Sequence, residues 1–162
     1  MSWPVIPYKP KGTGESDQTP EEMLIDLERL EGEGSLRVIQ HGGERGYHIK
    51  LVIDPERVVS LFVWNEKIFQ GKPTLVRSYG VWPIEAMEVD EEKGDKVLAE
   101  GVYNLRGGVL TMNIRKSYDP KVPEGIRCYR LRLARIREYM SPKHGWSVRP
   151  EYYAIPLQIK EA

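Results

Sequence analysis

From Leu36 onward the chain breaks into short runs of β-branched and aromatic residues separated by turn residues, and this texture limits its fold more than any other feature. Tyr47, Ile49, Leu51 and Ile53 alternate with His48, Lys50 and Val52, which is the two-residue period of a half-buried strand. Asp54, Pro55 and Glu56 then make a turn. Residues 57–64 are apolar on both faces, as a central strand covered from outside by a helix or arm must be. Further strands are expected over 74–81, 84–90, 96–105, 109–115, 126–137 and 152–159, with longer breaks at 117–125 and 140–151. Parallel strands would need crossovers of about a dozen residues or more, and no later helical pattern supplies them. The fold class is therefore all-β and mainly antiparallel, an up-and-down barrel or a strongly curved sheet.

One helix precedes the strands. Thr19 offers a hydroxyl cap, Pro20 suits the first helical position, and Glu22 closes a capping box. Met23, Leu24, Leu27 and Leu30 follow at helical spacing, and Gly32 and Gly34 are expected to stop the run. Residues 1–18 read as an extended Pro/Gly-rich arm, and residues 19–162 as one domain. A length of 162 residues is enough for one hydrophobic core. No apolar run approaches the roughly 18 residues of a membrane span, and no signal-peptide pattern opens the chain, so a cytoplasmic location is expected.

Cys128 is the sole cysteine, which excludes an internal disulfide and a thiolate cluster. His41, His48 and His144 lack the spacing of metal ligands, and no glycine-rich phosphate loop or serine elbow is present. No metal, cofactor or catalytic set is read from these residues. Net charge is zero but uneven: residues 1–100 carry 12 Lys and Arg against 19 Asp and Glu, and residues 101–162 carry 12 against 5. The basic excess is concentrated in Arg127, Arg130, Arg132, Arg135 and Arg137, where a bulge near Ala134 would bring the last four to one side of a strand. Such a stripe suits bidentate recognition of phosphate or carboxylate. The expectation from net neutrality is instead a solvated face paired with acids of the first half, and no nucleic-acid partner.

The segment Asp26-Leu27-Glu28-Arg29-Leu30-Glu31-Gly32 leading into Leu36 and Val38 resembles the opening helix and first strand of the lipocalin-like domains abundant in planctomycetes. Residues 94–105, followed by Gly107-Gly108-Val109-Leu110-Thr111-Met112, are similar to a hairpin of that family, and the likeness spans roughly residues 24–115. Such domains usually carry a tryptophan where this chain has Gly34, so Trp3 or Trp64 would have to close that end. The resemblance implies a barrel with a ligand cavity and transfers no functional residue. A noncatalytic barrel binding a small apolar or amphipathic ligand is the leading expectation. Its candidate ligand-binding residues are Trp64, Tyr79, Trp82, Tyr103, Tyr129, Arg130 and Arg132. Two other classes stay open: an assembly module, a homo-oligomer docking through Trp3, Val5, Ile6 and Tyr8, and an enzyme with an acid–base site in the barrel mouth.

Overall fold

The computed structural model describes residues 27–142 and 145–158. Eight strands close into an antiparallel barrel: β1 (Gly32–Gln40), β2 (Tyr47–Asp54), β3 (Arg57–Val63), β4 (Thr74–Pro83), β5 (Lys96–Arg106), β6 (Val109–Ser117), β7 (Gly125–Ser141) and β8 (Gly145–Leu157). The N-terminal arm, most of the expected helix, and His144 lie outside the described residues. The described end of that helix, Leu27–Leu30, is a 3₁₀ turn, and Gly32 and Gly34 belong to β1 rather than to a helix stop.

The order around the wall is β1-β2-β3-β4-β8-β7-β6-β5, so the barrel is two four-stranded meanders facing each other. This corrects the up-and-down expectation, which would place β5 beside β4. The physical reason is the segment 84–95, expected to include a strand over 84–90 and found to contain the 3₁₀ turns Ile84–Met87 and Glu91–Lys93. Rich in acids and poor in alternating apolar residues, it crosses the outside of the wall as a strap. At the rim where β1 begins, Ile84 N–H donates to Glu56 O at 2.8 Å; midway, Arg37 donates to Met87 O at 3.3 Å. At the other rim, the Asp95 carboxylate accepts the N–H groups of Gly42 at 2.8 Å and Asp90 at 3.1 Å. These backbone bonds hold the Asp95 carboxyl down at about 2.

The wall on this side has a burial pattern that alternation alone does not allow. On β2 and β3, Ile49, Leu51, Val59, Leu61 and Val63 point into the barrel, yet His48, Lys50, Val58 and Ser60 on the outer face are buried too. The interior is a packed core in which Leu36, Ile49, Leu51, Met112, Ile114 and Tyr129 are fully enclosed. Each such side chain contributes roughly 1.5–3 kcal/mol through burial. Leu30 lies beneath the rim where β1 begins, and Ile68 and Phe69 from the 3₁₀ turn Glu66–Gln70 plug the opposite rim.

Gly34 leaves room for Tyr103. A Cβ there would stand 2.5 Å from Val52 O and 3.0 Å from the Tyr103 ring, and the Tyr103 hydroxyl donates to Val52 O at 2.9 Å. The aromatic described at that end of the barrel is therefore Tyr103, not Trp64, and Trp3 lies outside the described residues.

β7 and β8 form a long hairpin that outruns the wall. β6 pairs with β7 only as far as Arg130, and β4 pairs with β8 only over Glu151–Ala154. Pro150 and Pro156 in β8 fall just outside that short seam, where no β4 partner awaits an N–H. Within the span 140–151, read from sequence as a loop, residues 140–141 are the end of β7 and residues 145–151 the start of β8.

Candidate functional site on the outer wall

Register decides which arginines meet. Arg132 faces Tyr153 and Arg135 faces Glu151, with a shift between Leu133 and Arg135, so the bulge expected near Ala134 is present. Without it Arg130 and Arg132 would sit on the face opposite Arg135 and Arg137; with it all four share the outer face. Arg149, Glu151 and Tyr153 of β8 and Arg77 and Tyr79 of β4 continue that face.

Its centre is ionic. Glu151 has no exposed surface and is held from both sides, by Arg77 Nε at 3.1 Å and by Arg135 Nε. Burial alone would raise its pKa, but the hydrogen bonds from Arg135 and Arg77 outweigh that and hold it below the usual carboxylate range. Arg77 also lies over the Trp64 ring at 4.0 Å, and Arg149 over the rings of Tyr139 at 4.2 Å and Tyr79 at 4.3 Å. Arg130, Arg132 and Arg137 make no hydrogen bond or ion pair with a described residue. Arg137 stands directly opposite Arg149, a like-charge pair of the kind that destabilises a sheet. Tyr153, next to Arg132, is 52% exposed, and Trp64 is 39% exposed.

The candidate residues thus separate into three places. Trp64 and Tyr79 adjoin the arginine face and are linked through Phe62, whose ring lies 5.5 Å from Trp64 and 5.9 Å from Tyr79. Arg130 and Arg132 belong to that face and meet no described acid of the first half. Trp82 stands apart at the far end of β4, opposite Val58. Tyr103 and Tyr129 are core side chains, and the Tyr129 hydroxyl donates to Ile68 O, with burial pushing that phenol up to about 12. Open cavities of about 510, 620 and 700 Å³ include one lined in part by Tyr103 and one lined in part by Tyr129, and none of the three is lined by Trp64, Tyr79 or Trp82.

A second polar cluster lies beside the strap. Glu44 Oε2 can only accept, so His48 Nε2 carries the proton donated to it at 2.7 Å, and Nδ1 accepts from the Ser60 hydroxyl at 2.8 Å. The sequence of carboxylate, imidazole and hydroxyl matches a nucleophilic relay in its parts. Ser60 is only 1% exposed, however, so the relay ties β2 to β3 rather than facing a substrate. Burial, reinforced by Lys50, lowers the His48 pKa to about 4 against the opposing pull of Glu44. Lys50, 6% exposed and without an ion pair among the described residues, is lowered to about 8 by burial. Among the described residues no three His, Cys, Asp or Glu side chains converge to hold a metal ion. No helix there is long and apolar enough to cross a membrane.

Arg77, Arg149, Glu151 and Tyr153 were not singled out from sequence. The available signal was the alternation of Arg149, Glu151 and Tyr153 with Val148, Pro150 and Tyr152, which Pro150 obscured.

No family profile matches the chain, and no solved structure does. It is similar to a protein described as "Uncharacterized protein" from Aquifex aeolicus (strain VF5), with 29% identity over 147 residues, covering 80% of this chain and 84% of the relative.

Proposed function

We propose that this protein is a noncatalytic binding barrel that takes a multiply charged anionic ligand on the outer face of β7, β8 and β4. The observation that supports this reading is the set Arg130, Arg132 and Arg137, aligned by the bulge at Ala134 and without a carboxylate partner among the described residues. Guanidinium groups on one face recognise phosphate or carboxylate in forked pairs, and a guest anion relieves their mutual repulsion. A ligand inside the barrel is the weaker reading, because the interior aromatics Tyr103 and Tyr129 are hydrogen-bonded parts of the core.

Calorimetric titration with inorganic tripolyphosphate at low salt tests it. The wild-type protein is expected to bind, and the double variant Arg130→Gln/Arg132→Gln to bind at least about tenfold more weakly with unchanged melting temperature, since neither residue holds an ion pair with a described residue. Absence of binding, or equal binding by the variant, rejects the proposal.

A further inference from the structure

We infer that the ligand of the arginine face is single-stranded nucleic acid, an inference that rests on the anion-binding reading above and specifies its chemistry. Three observations lead there.

The first is the layout of charge. β7 and β2 are four places apart in a ring of eight strands, so they stand on opposite sides of the barrel. The strap, with Glu85, Glu88, Asp90, Glu91, Glu92 and Asp95, crosses the β1–β3 side. Eight strands tilted in a closed wall give a backbone diameter of roughly 16 Å. The screening length at physiological ionic strength is about 8 Å. The acids on one wall therefore do not cancel the arginines on the other, and net neutrality is no argument against a polyanion. A polyanion approaching β7 meets a basic surface.

The second is spacing. Arg130 and Arg132, and beyond the bulge Arg135 and Arg137, are spaced at two-residue steps of about 7 Å along an extended strand, comparable with the step between phosphates of an extended nucleic-acid strand, with Arg135 already bonded to Glu151 through its Nε. A lone phosphate would engage one or two of them; a polymer engages the row.

The third is the exposed aromatic surface beside the row. Tyr153 lies across from Arg132 and beside Leu75 of β4, half exposed, with no ring partner among the described residues, whereas the Trp64 ring on the far side of β4 is already covered by Arg77. Ring faces stack on bases only when the bases are unpaired, which selects single strands over duplex. The pairing of a basic track with a flanking aromatic platform is the arrangement that binds single strands with little sequence preference.

Fluorescence anisotropy on the full chain tests the inference, using a labelled mixed-sequence RNA of about 12 nucleotides, the same strand annealed to its complement, and tripolyphosphate as competitor. The single strand is expected to bind at least tenfold more tightly than the duplex, with affinity falling as salt rises. Arg132→Gln/Arg137→Gln should reduce the magnitude of the log-affinity against log-salt slope by about 1.4, because two phosphate contacts are lost. Tyr153→Leu, which keeps an apolar side chain at the position, should weaken single-strand binding about tenfold and leave tripolyphosphate binding unchanged. Melting curves for each variant establish that it is folded, and Arg137→Gln alone serves should the double variant not fold. If tripolyphosphate binds but the single strand binds no better than the duplex, or Tyr153→Leu has no effect, the single-strand inference is overturned and the anion-binding reading stands. If neither RNA nor tripolyphosphate binds, both are overturned.

Discussion

Arg77 and Glu151 face each other across the β4–β8 seam, with the arginine Nε 3.1 Å from a carboxylate oxygen that has no solvent exposure. Removing one partner of a buried pair leaves the other charge desolvated and unmatched. Glu151→Gln is expected to destabilise the protein by about 2–4 kcal/mol in urea unfolding. Arg77→Met should cost more than Arg135→Met, because the Arg77 side chain is 14% exposed and that of Arg135 is 56% exposed. Since the folded-state pKa of Glu151 is depressed, its contribution is present above the ordinary carboxylate pKa and is lost as pH falls through the folded value. Glu151→Gln should therefore flatten the acid limb of the stability profile.

His48 adds an acid-side slope at higher pH. Its pKa falls from 6.5 in the unfolded chain to about 4 in the barrel, so the unfolded state binds more protons between those values. Stability is expected to decline as pH drops across that window, by on the order of 2–3 kcal/mol. Unfolding midpoints measured at both ends of the window check this. In His48→Gln the decline should largely disappear.

Lys50 gives the opposite limb. Burial lowers its pKa from 10.5 to about 8, so stability should rise as pH increases between those values and the strained charge is shed. Lys50→Met should stabilise the protein at neutral pH by on the order of 2 kcal/mol and remove that alkaline rise. A destabilised variant would mean that Lys50 has a partner worth more than its burial costs.

The strap makes a steric prediction. A Cβ on Gly42 would lie 1.7 Å from the Lys93 carbonyl oxygen, whereas one on Gly43 meets open space and only a φ of +84° opposes it. Gly43→Ala is expected to cost about 1 kcal/mol, the ordinary penalty of a left-handed backbone. Gly42→Ala should cost more, about 2 kcal/mol or above, because backbone must shift. Increased proteolysis within 84–95 for Gly42→Ala alone would locate the damage at the strap.

Much of the wall was legible because alternation survives wherever one face of a strand meets solvent, as in Thr111, Met112, Asn113 and Ile114. The strand order was not. Nothing local in 84–95 distinguishes a chain that turns back beside β4 from one that crosses to β5, because the difference lies in contacts with Glu56, Arg37 and Gly42, distant in sequence. The arginine row was visible as a row, and the Ala134 bulge as the device that could align it. Its neighbours on β8 were hidden by Pro150, which weakens a strand pattern even though β8 has no β4 partner there. Tyr103 and Tyr129 were legible as aromatics near a cavity, and each lines one, but sequence does not give the backbone carbonyl that the hydroxyl finds.

The two seams that close the barrel are unequal, since β1 pairs with β5 along the whole of β1 while β4 meets β8 only over Thr74–Arg77. Thermal opening should therefore begin between β4 and β8, with the amides of that short register exchanging with solvent before those of the β1–β5 seam. The opened form is one curved sheet with β4 and β8 as its edges. Exposed edges recruit other chains, but Pro150 and Pro156 limit the β8 edge to the Glu151–Ala154 stretch. The same prolines that obscured the strand let this barrel open at its weakest seam without offering a long template for aggregation.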